Sequence, residues 1–143
     1  MGYHCRMAFQ NPSSAEIGAL LRSAKTIAVL GLSNNTERPA YSVARAMQGL
    51  GYRIIPVRPG QSEVLGEQAY ASLADLPERP DIVDVFRNSK HVAGIVDECI
   101  ALGVRNLWLQ EGVIDAAAAD KARAAGIFVV MDRCIWKERR ALP

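Results

Sequence analysis

Apolar residues recur along this chain in two rhythms. Runs that are apolar at nearly every position occur at residues 26–30 (TIAVL), 52–57 (YRIIPV), 81–86 (DIVDVF), 104–109 (VRNLWL) and 127–131 (IFVVM). Short continuous runs of this kind, bounded by Gly or Pro, predict strands buried on both faces, as in a parallel sheet. Between them, apolar positions recur at three- and four-residue steps. Ile17, Leu20, Leu21 and Ala24 share one face of a helix that Ser13 or Ser14 caps. Val43, Ala44, Met47 and Leu50 form the stripe of a second helix, opened by Pro39 and stopped by Gly51. Val92, Ile95, Val96, Cys99 and Ile100 do the same in a third, which Asn88 or Ser89 caps and Gly103 ends. Asp115 caps an alanine-rich helix, and a short helix follows Cys134. Residues 64–73 read as a short extended piece and one helical turn. Pro56 falls near the end of the second strand, where a missing N–H costs least.

Strands alternating with helices form βαβ units, whose right-handed crossovers build a parallel sheet. The expected fold is α/β: a Rossmann-like open parallel sheet of five strands, order 3-2-1-4-5, with helices on both faces. The switch point then lies between strands one and four, where the loops at residues 31–39 and 110–112 meet. The loops after strands two and three form one wall. One domain spans residues 1–143, with 1–12 as a loose arm; 143 residues suffice for one core.

Composition narrows the function. Half of the residues are hydrophobic and 22% are charged, with a net charge of +2, far from the basic excess of a nucleic-acid binder. No run approaches the ~20 apolar residues of a membrane span. Three widely spaced cysteines, Cys5, Cys99 and Cys134, without a secretory leader, point to reduced thiols in a cytoplasmic protein. No Cys or His pair has metal-ligand spacing.

The candidate site centres on the first strand. It ends at Gly31, a polar loop runs from Ser33 to Arg38, and Pro39 opens a helix. A strand, a glycine turn and a helix N-terminus aim backbone N–H groups and a positive dipole end at one spot, which suits a phosphate. NAD is disfavoured twice. Its fingerprint needs three spaced glycines, and the loop here (GLSNNT) has one. NAD sites end strand two with an acid; here the strand ends Val57-Arg58-Pro59. A cation there suits a phosphorylated ribose, as in NADP or coenzyme A.

The stretch GLSNNTERPAYSVARAMQGLGYRIIPVRPG, followed by DIVDVFR, LWLQEGV and VVMDRC, resembles the small stand-alone CoA-binding proteins. These are similar to the CoA-binding domain of the succinyl-CoA synthetase alpha subunit. The resemblance covers residues 26–136 and that domain alone. It implies that Gly31, Ser33 and Asn35 meet the CoA phosphates, with Arg38 as charge partner and Pro39 and Tyr41 beside the loop. It implies that Val57, Arg58 and Pro59 line the adenosine 3′-phosphate region. Phe86 and Arg87 would close the adenine side, and Gln110, Glu111 and Gly112 would border the pantetheine arm.

Each assignment has a plainer rival. Gly31 serves equally as a strand-end turn, Arg38 as a solvated charge, and Arg58 as a strand-edge residue. Phe86 serves as core, and Glu111 as an acceptor for loop N–H groups. Trp108 reads as packing. Cys134 either lies at the cleft mouth, within reach of a mixed disulfide with CoA, or is a small buried apolar residue. Asp84 is either a pocket group or the partner of a neighbouring loop. No Ser-His-Asp ordering, walled-off carboxylate pair or P-loop is present. The expected function is therefore binding of coenzyme A or an acyl-CoA without catalysis, with delivery to an unknown protein partner as one use. The alternatives are a small NADP-dependent oxidoreductase and an interaction module with a vestigial nucleotide pocket.

Overall fold

A computed structural model describes residues 9–143. Five parallel strands form the central sheet: β1 (Thr26–Leu30), β2 (Arg53–Val57), β3 (Ile82–Val85), β4 (Asn106–Leu109) and β5 (Phe128–Val130). Five helices accompany it: α1 (Ser14–Ser23), α2 (Pro39–Gly49), α3 (Val92–Leu102), α4 (Ala116–Ala124) and α5 (Ile135–Arg140). The fold is the expected Rossmann-like α/β arrangement. The helix ends follow local rules. Ser13 and Glu16 form a reciprocal capping box at α1. Asp115 accepts from the Ala118 N–H at α4, and Gly103 closes α3 in the left-handed region.

Alternation within each strand sorts the core into two layers. Ile27, Val29, Ile54, Ile82, Trp108 and Val130 face α1, α2 and α5; Ala28, Leu30, Ile55, Val83, Val85, Leu107 and Leu109 face α3 and α4. Leu50, expected on the buried stripe of α2, is 43% exposed, because the helix has already ended at Gly49.

The strand order is not the expected 3-2-1-4-5. β1 lies between β2 and β3, giving β2-β1-β3-β4-β5. The physical reason lies in β2 and β3. Pro56 cannot donate to a ladder on its N–H side, so its strand belongs at an edge. β3 is buried at all four positions and belongs inside. The outer edge of β2 is covered by the segment that follows it. The Tyr70 N–H donates to the Pro56 carbonyl at 2.9 Å, and the Arg58 N–H to the Tyr70 carbonyl at 2.8 Å. Between them the chain makes a two-residue hairpin, Glu63–Val64 against Glu67–Gln68, then a 3-10 turn at Leu73–Asp75. The switch point therefore lies between β1 and β3, as in the other common doubly wound order.

Of the arm expected at residues 1–12, residues 1–8 lie outside the described residues, and with them His4 and Cys5. Residues 9–12 are tied down. Phe9 packs on the α3/α4 layer under the Arg123 guanidinium. The Asn11 amide donates to the Met131 carbonyl at 2.9 Å and accepts from the Met131 N–H at 2.7 Å.

Candidate functional site

The C-terminal ends of the strands open into a cavity of about 850 Å³. This is within the usual range for a small-molecule site. At its floor, the ends of β1 and β3 approach each other across the switch point. The Gly31 N–H donates to the Val57 carbonyl and the Phe86 N–H to the Leu30 carbonyl, both at 3.0 Å. Gly31 has φ +93°, and a Cβ there would lie 2.3 Å from the Phe86 carbonyl oxygen. Both readings of Gly31 hold together: it is a strand-end turn that the packing requires, and it lines the cavity.

From the β1 side, Arg38, Pro39, Ala40 and Val43 line the space. Arg38 is the N-cap residue of α2, and no side chain caps that helix. Pro39 has no N–H and the Tyr41 N–H donates to the Arg38 carbonyl at 3.0 Å, so among the described residues the Ala40 N–H is the first-turn donor left for water or a ligand. From β2 come Arg58 and Pro59, and from β3 come Phe86, Arg87, Asn88 and His91. Phe86 is half-buried and packs against the α1/α2/α5 layer while facing the cavity, so its core and site readings also coexist. Among the described residues, Arg38, Arg58 and Arg87 form no ion pair, and none of their guanidinium groups donates a hydrogen bond. By contrast, Arg53 pairs with Glu78 at 3.0 Å and Arg123 with Asp120 at 2.5 Å.

The far side is built from β4 and β5. Gln110, Glu111, Val113 and Cys134 line it. Gln110 is 4% exposed. Its Oε1 accepts from the Ile135 N–H at 3.0 Å, which fixes the amide orientation and ties the first turn of α5 to the end of β4. Its Nε2 has no hydrogen-bond partner among the described residues. Glu111 pairs with Lys137 at 3.1 Å rather than with loop N–H groups. Cys134 is the N-cap residue of α5 and is buried.

Five expected site residues fall outside this lining. Ser33 and Asn35 direct their side-chain oxygens to the loop's own backbone, Ser33 Oγ accepting from the Asn35 N–H and Asn35 Oδ1 from the Glu37 N–H. Tyr41 lines a separate shallow hollow with Thr36, Ser42, Arg45 and Ala46. Val57 points into the α3/α4 layer. The Gly112 N–H donates to Asp132 Oδ1 at 2.8 Å, and its carbonyl accepts from Ser89 Oγ at 3.3 Å. In the other direction, sequence reasoning missed Ala40, Val43, Asn88, His91 and Val113. His91 was legible as a residue near the start of a helix after β3, but only the corrected strand order puts that loop beside β1.

Asp84 takes neither role considered for it. It sits on β3 between Val29 and Trp108 on the flanking strands, is absent from the cavity lining, and its Oδ1 is buried without a partner. Burial holds its carboxyl well above the usual range. Trp108 is packing, as expected, with its indole N–H on the Arg133 carbonyl at 2.8 Å. Among the described residues no cluster of three His, Cys, Asp or Glu is placed to hold a metal ion, and no helix is long and apolar enough to cross a membrane.

Residues 25–140 match the family model described as CoA binding domain. The uncharacterized protein YneT of Bacillus subtilis is 41% identical over 126 residues, which cover 88% of this chain and 93% of YneT. The solved structure of cell-free ID.343 from Thermus thermophilus is 43% identical, with a TM-score of 0.84. That match covers 90% of this chain and 98% of the other. Acetate–CoA ligase [ADP-forming] II of Archaeoglobus fulgidus is 26% identical over 83 residues, which are 57% of this chain and 12% of the ligase.

Proposed function

The chain belongs to the CoA binding domain family, and from that membership we propose that its cavity takes up reduced coenzyme A or an acyl-CoA non-covalently and catalyses no turnover of either. One observation carries the reading. Three guanidinium groups without partners among the described residues, Arg38, Arg58 and Arg87, border one cavity beside an uncapped helix N-terminus. Such charges stay solvated and repel one another unless an anion with several phosphates joins them. Coenzyme A brings a pyrophosphate and a ribose 3′-phosphate. Arg58, at the end of the edge strand β2, is the residue we assign to the 3′-phosphate. Arg38, Arg87 and the first turn of α2 are assigned to the pyrophosphate. Gln110 Nε2, a donor without an acceptor among the described residues on a residue 4% exposed, suits a carbonyl of the pantetheine arm. The named activity of the ligase relatives is consistent with this ligand, although the shared segment is a small part of those proteins.

Calorimetric titration with coenzyme A, 3′-dephospho-CoA, NADP and NAD tests the proposal. Coenzyme A should bind tightest, and loss of its 3′-phosphate should weaken binding on the order of tenfold, the worth of one charge-assisted contact. Equal affinity for all four nucleotides would reduce the cavity to a vestigial one. Turnover of NADPH would make the protein an oxidoreductase instead.

A further inference from the structure

Two sides of the sheet contribute different chemistry to one cavity. Arg58 follows the edge strand β2, and Cys134 lies over the end of β4, where the Arg133 N–H donates to the Leu109 carbonyl and the Ile135 N–H to Gln110 Oε1. Three strand intervals at about 4.8 Å each separate β2 from β4 by roughly 14 Å. The cavity thus has a cationic end and a thiol end. Cys134 is 5% exposed and lines the cavity, so a reagent reaches it by that route. Beside it stands Gln110, whose Oε1 is held by the Ile135 N–H, one residue after Cys134. Its Nε2, on a side chain 4% exposed, has no partner among the described residues. A ligand arm that ends at Cys134 would supply the missing acceptor. The other described cysteine differs. Cys99 lies in the core of α3, where burial, with Glu98 beside it, pushes its thiol up to about 12.

We propose that Cys134 captures coenzyme A by thiol–disulfide exchange, so that this protein holds the cofactor reversibly as a mixed disulfide when CoA disulfide is present. The proposal rests on the assignment of coenzyme A to the cavity. The co-reactant is a low-molecular-weight disulfide, CoA disulfide. Cys134 Sγ loses its proton to solvent and attacks one sulfur of the CoA–S–S–CoA bond. That bond breaks as the Cys134–S–S–CoA bond forms, and the second CoA leaves as a thiolate that takes up a proton. Cys134 is oxidised and one half of the disulfide is reduced. An incoming free thiol runs the exchange backwards and releases CoA.

The test treats the reduced full-length protein with CoA disulfide and, separately, with glutathione disulfide, reads intact mass over time, and maps the modified peptide. One CoA per chain should appear, on Cys134, and dithiothreitol should remove it. Docking of the nucleotide should make CoA disulfide on the order of ten times faster than glutathione disulfide. Cys5→Ser should still take up the adduct, and Cys134→Ser should not; peptide mapping of the wild-type chain gives the same answer if the Cys134 variant fails to fold. An adduct on Cys5 or Cys99, equal rates for the two disulfides, or no adduct while reduced CoA binds by calorimetry would each overturn the proposal. If reduced CoA does not bind, the assignment of the cavity falls first and this exchange falls with it.

Discussion

Replacing Gly31 by alanine should be costly because of two separable terms. The residue has φ +93°, and holding a side-chain-bearing residue at such an angle costs roughly 1–2 kcal/mol. The added Cβ would also lie 2.3 Å from the Phe86 carbonyl oxygen. That atom is backbone in the next strand and cannot swing aside. Relief requires Gly31 to move away from Phe86, which strains the bonds that fix the end of β1 on both sides, Phe86 N–H to Leu30 from the β3 side and Gly31 N–H to Val57 on the β2 side, each worth about 1 kcal/mol net. Alanine recovers about 0.5 kcal/mol by stiffening the unfolded chain. The net cost is about 3 kcal/mol, within the 5–15 kcal/mol or so of a typical domain, so the variant should still fold. Gly60 provides the control. It has φ +83° with open space around its Cβ position, so Gly60→Ala carries the backbone term alone, about 1 kcal/mol. Equilibrium urea unfolding of both variants measures the difference. Gly31→Ala should lose about 2 kcal/mol more than Gly60→Ala, with an unchanged m-value. Equal losses would refute the claim that a steric contact across the switch point fixes this glycine.

Arg58→Ala should weaken coenzyme A binding on the order of tenfold while changing 3′-dephospho-CoA binding much less; equal weakening of both by calorimetry would remove Arg58 from the 3′-phosphate. Asp84 gives a pH dependence of definite sign. Its folded pKa is raised by burial, so its contribution is fully present below the unfolded value of about 3.9 and is lost as pH rises through the raised folded value. Over that window wild-type stability should lose up to about 1.4 kcal/mol per pH unit from this group. Asp84→Asn should lack that slope and be the more stable form at pH 8, and parallel urea midpoints from pH 5 to 8 would contradict it. Ser13→Ala should cost about 1 kcal/mol by breaking the capping box with Glu16. A melting temperature equal to that of the wild type would show the box to be worth nothing here.

Much of this architecture was legible in the chain. The five apolar runs, Pro39 at the head of α2, Gly103 at the end of α3 and Asp115 at the head of α4 act through neighbours a few residues away, so local pattern suffices to read them. The basic end of β2 was equally plain, since Val57-Arg58-Pro59 is contiguous. Pro56 even carried the edge position of β2, a signal that conflicts with the order 3-2-1-4-5. The lining of the cavity was less readable. Ser33 and Asn35 were expected at the phosphates by their place in the loop; their oxygens accept from the loop's own N–H groups and neither residue lines the cavity. Their polarity was visible, but the loop geometry that directs those oxygens was not.

What the sequence determined by itself was the kind of element at each stretch, the two-layered core and a glycine turn running into an arginine and a helix start. Those follow from periodicity and capping, which depend on near neighbours. Only the tertiary structure decided which strand lies beside β1, and with it the placement of Arg87 and His91 across from Arg38. The same is true of Gln110 and Cys134 at the far side of the cavity. Pairing between strands is a long-range choice, settled by which edges can lack a donor and which faces must be buried, and local pattern alone does not weigh those alternatives.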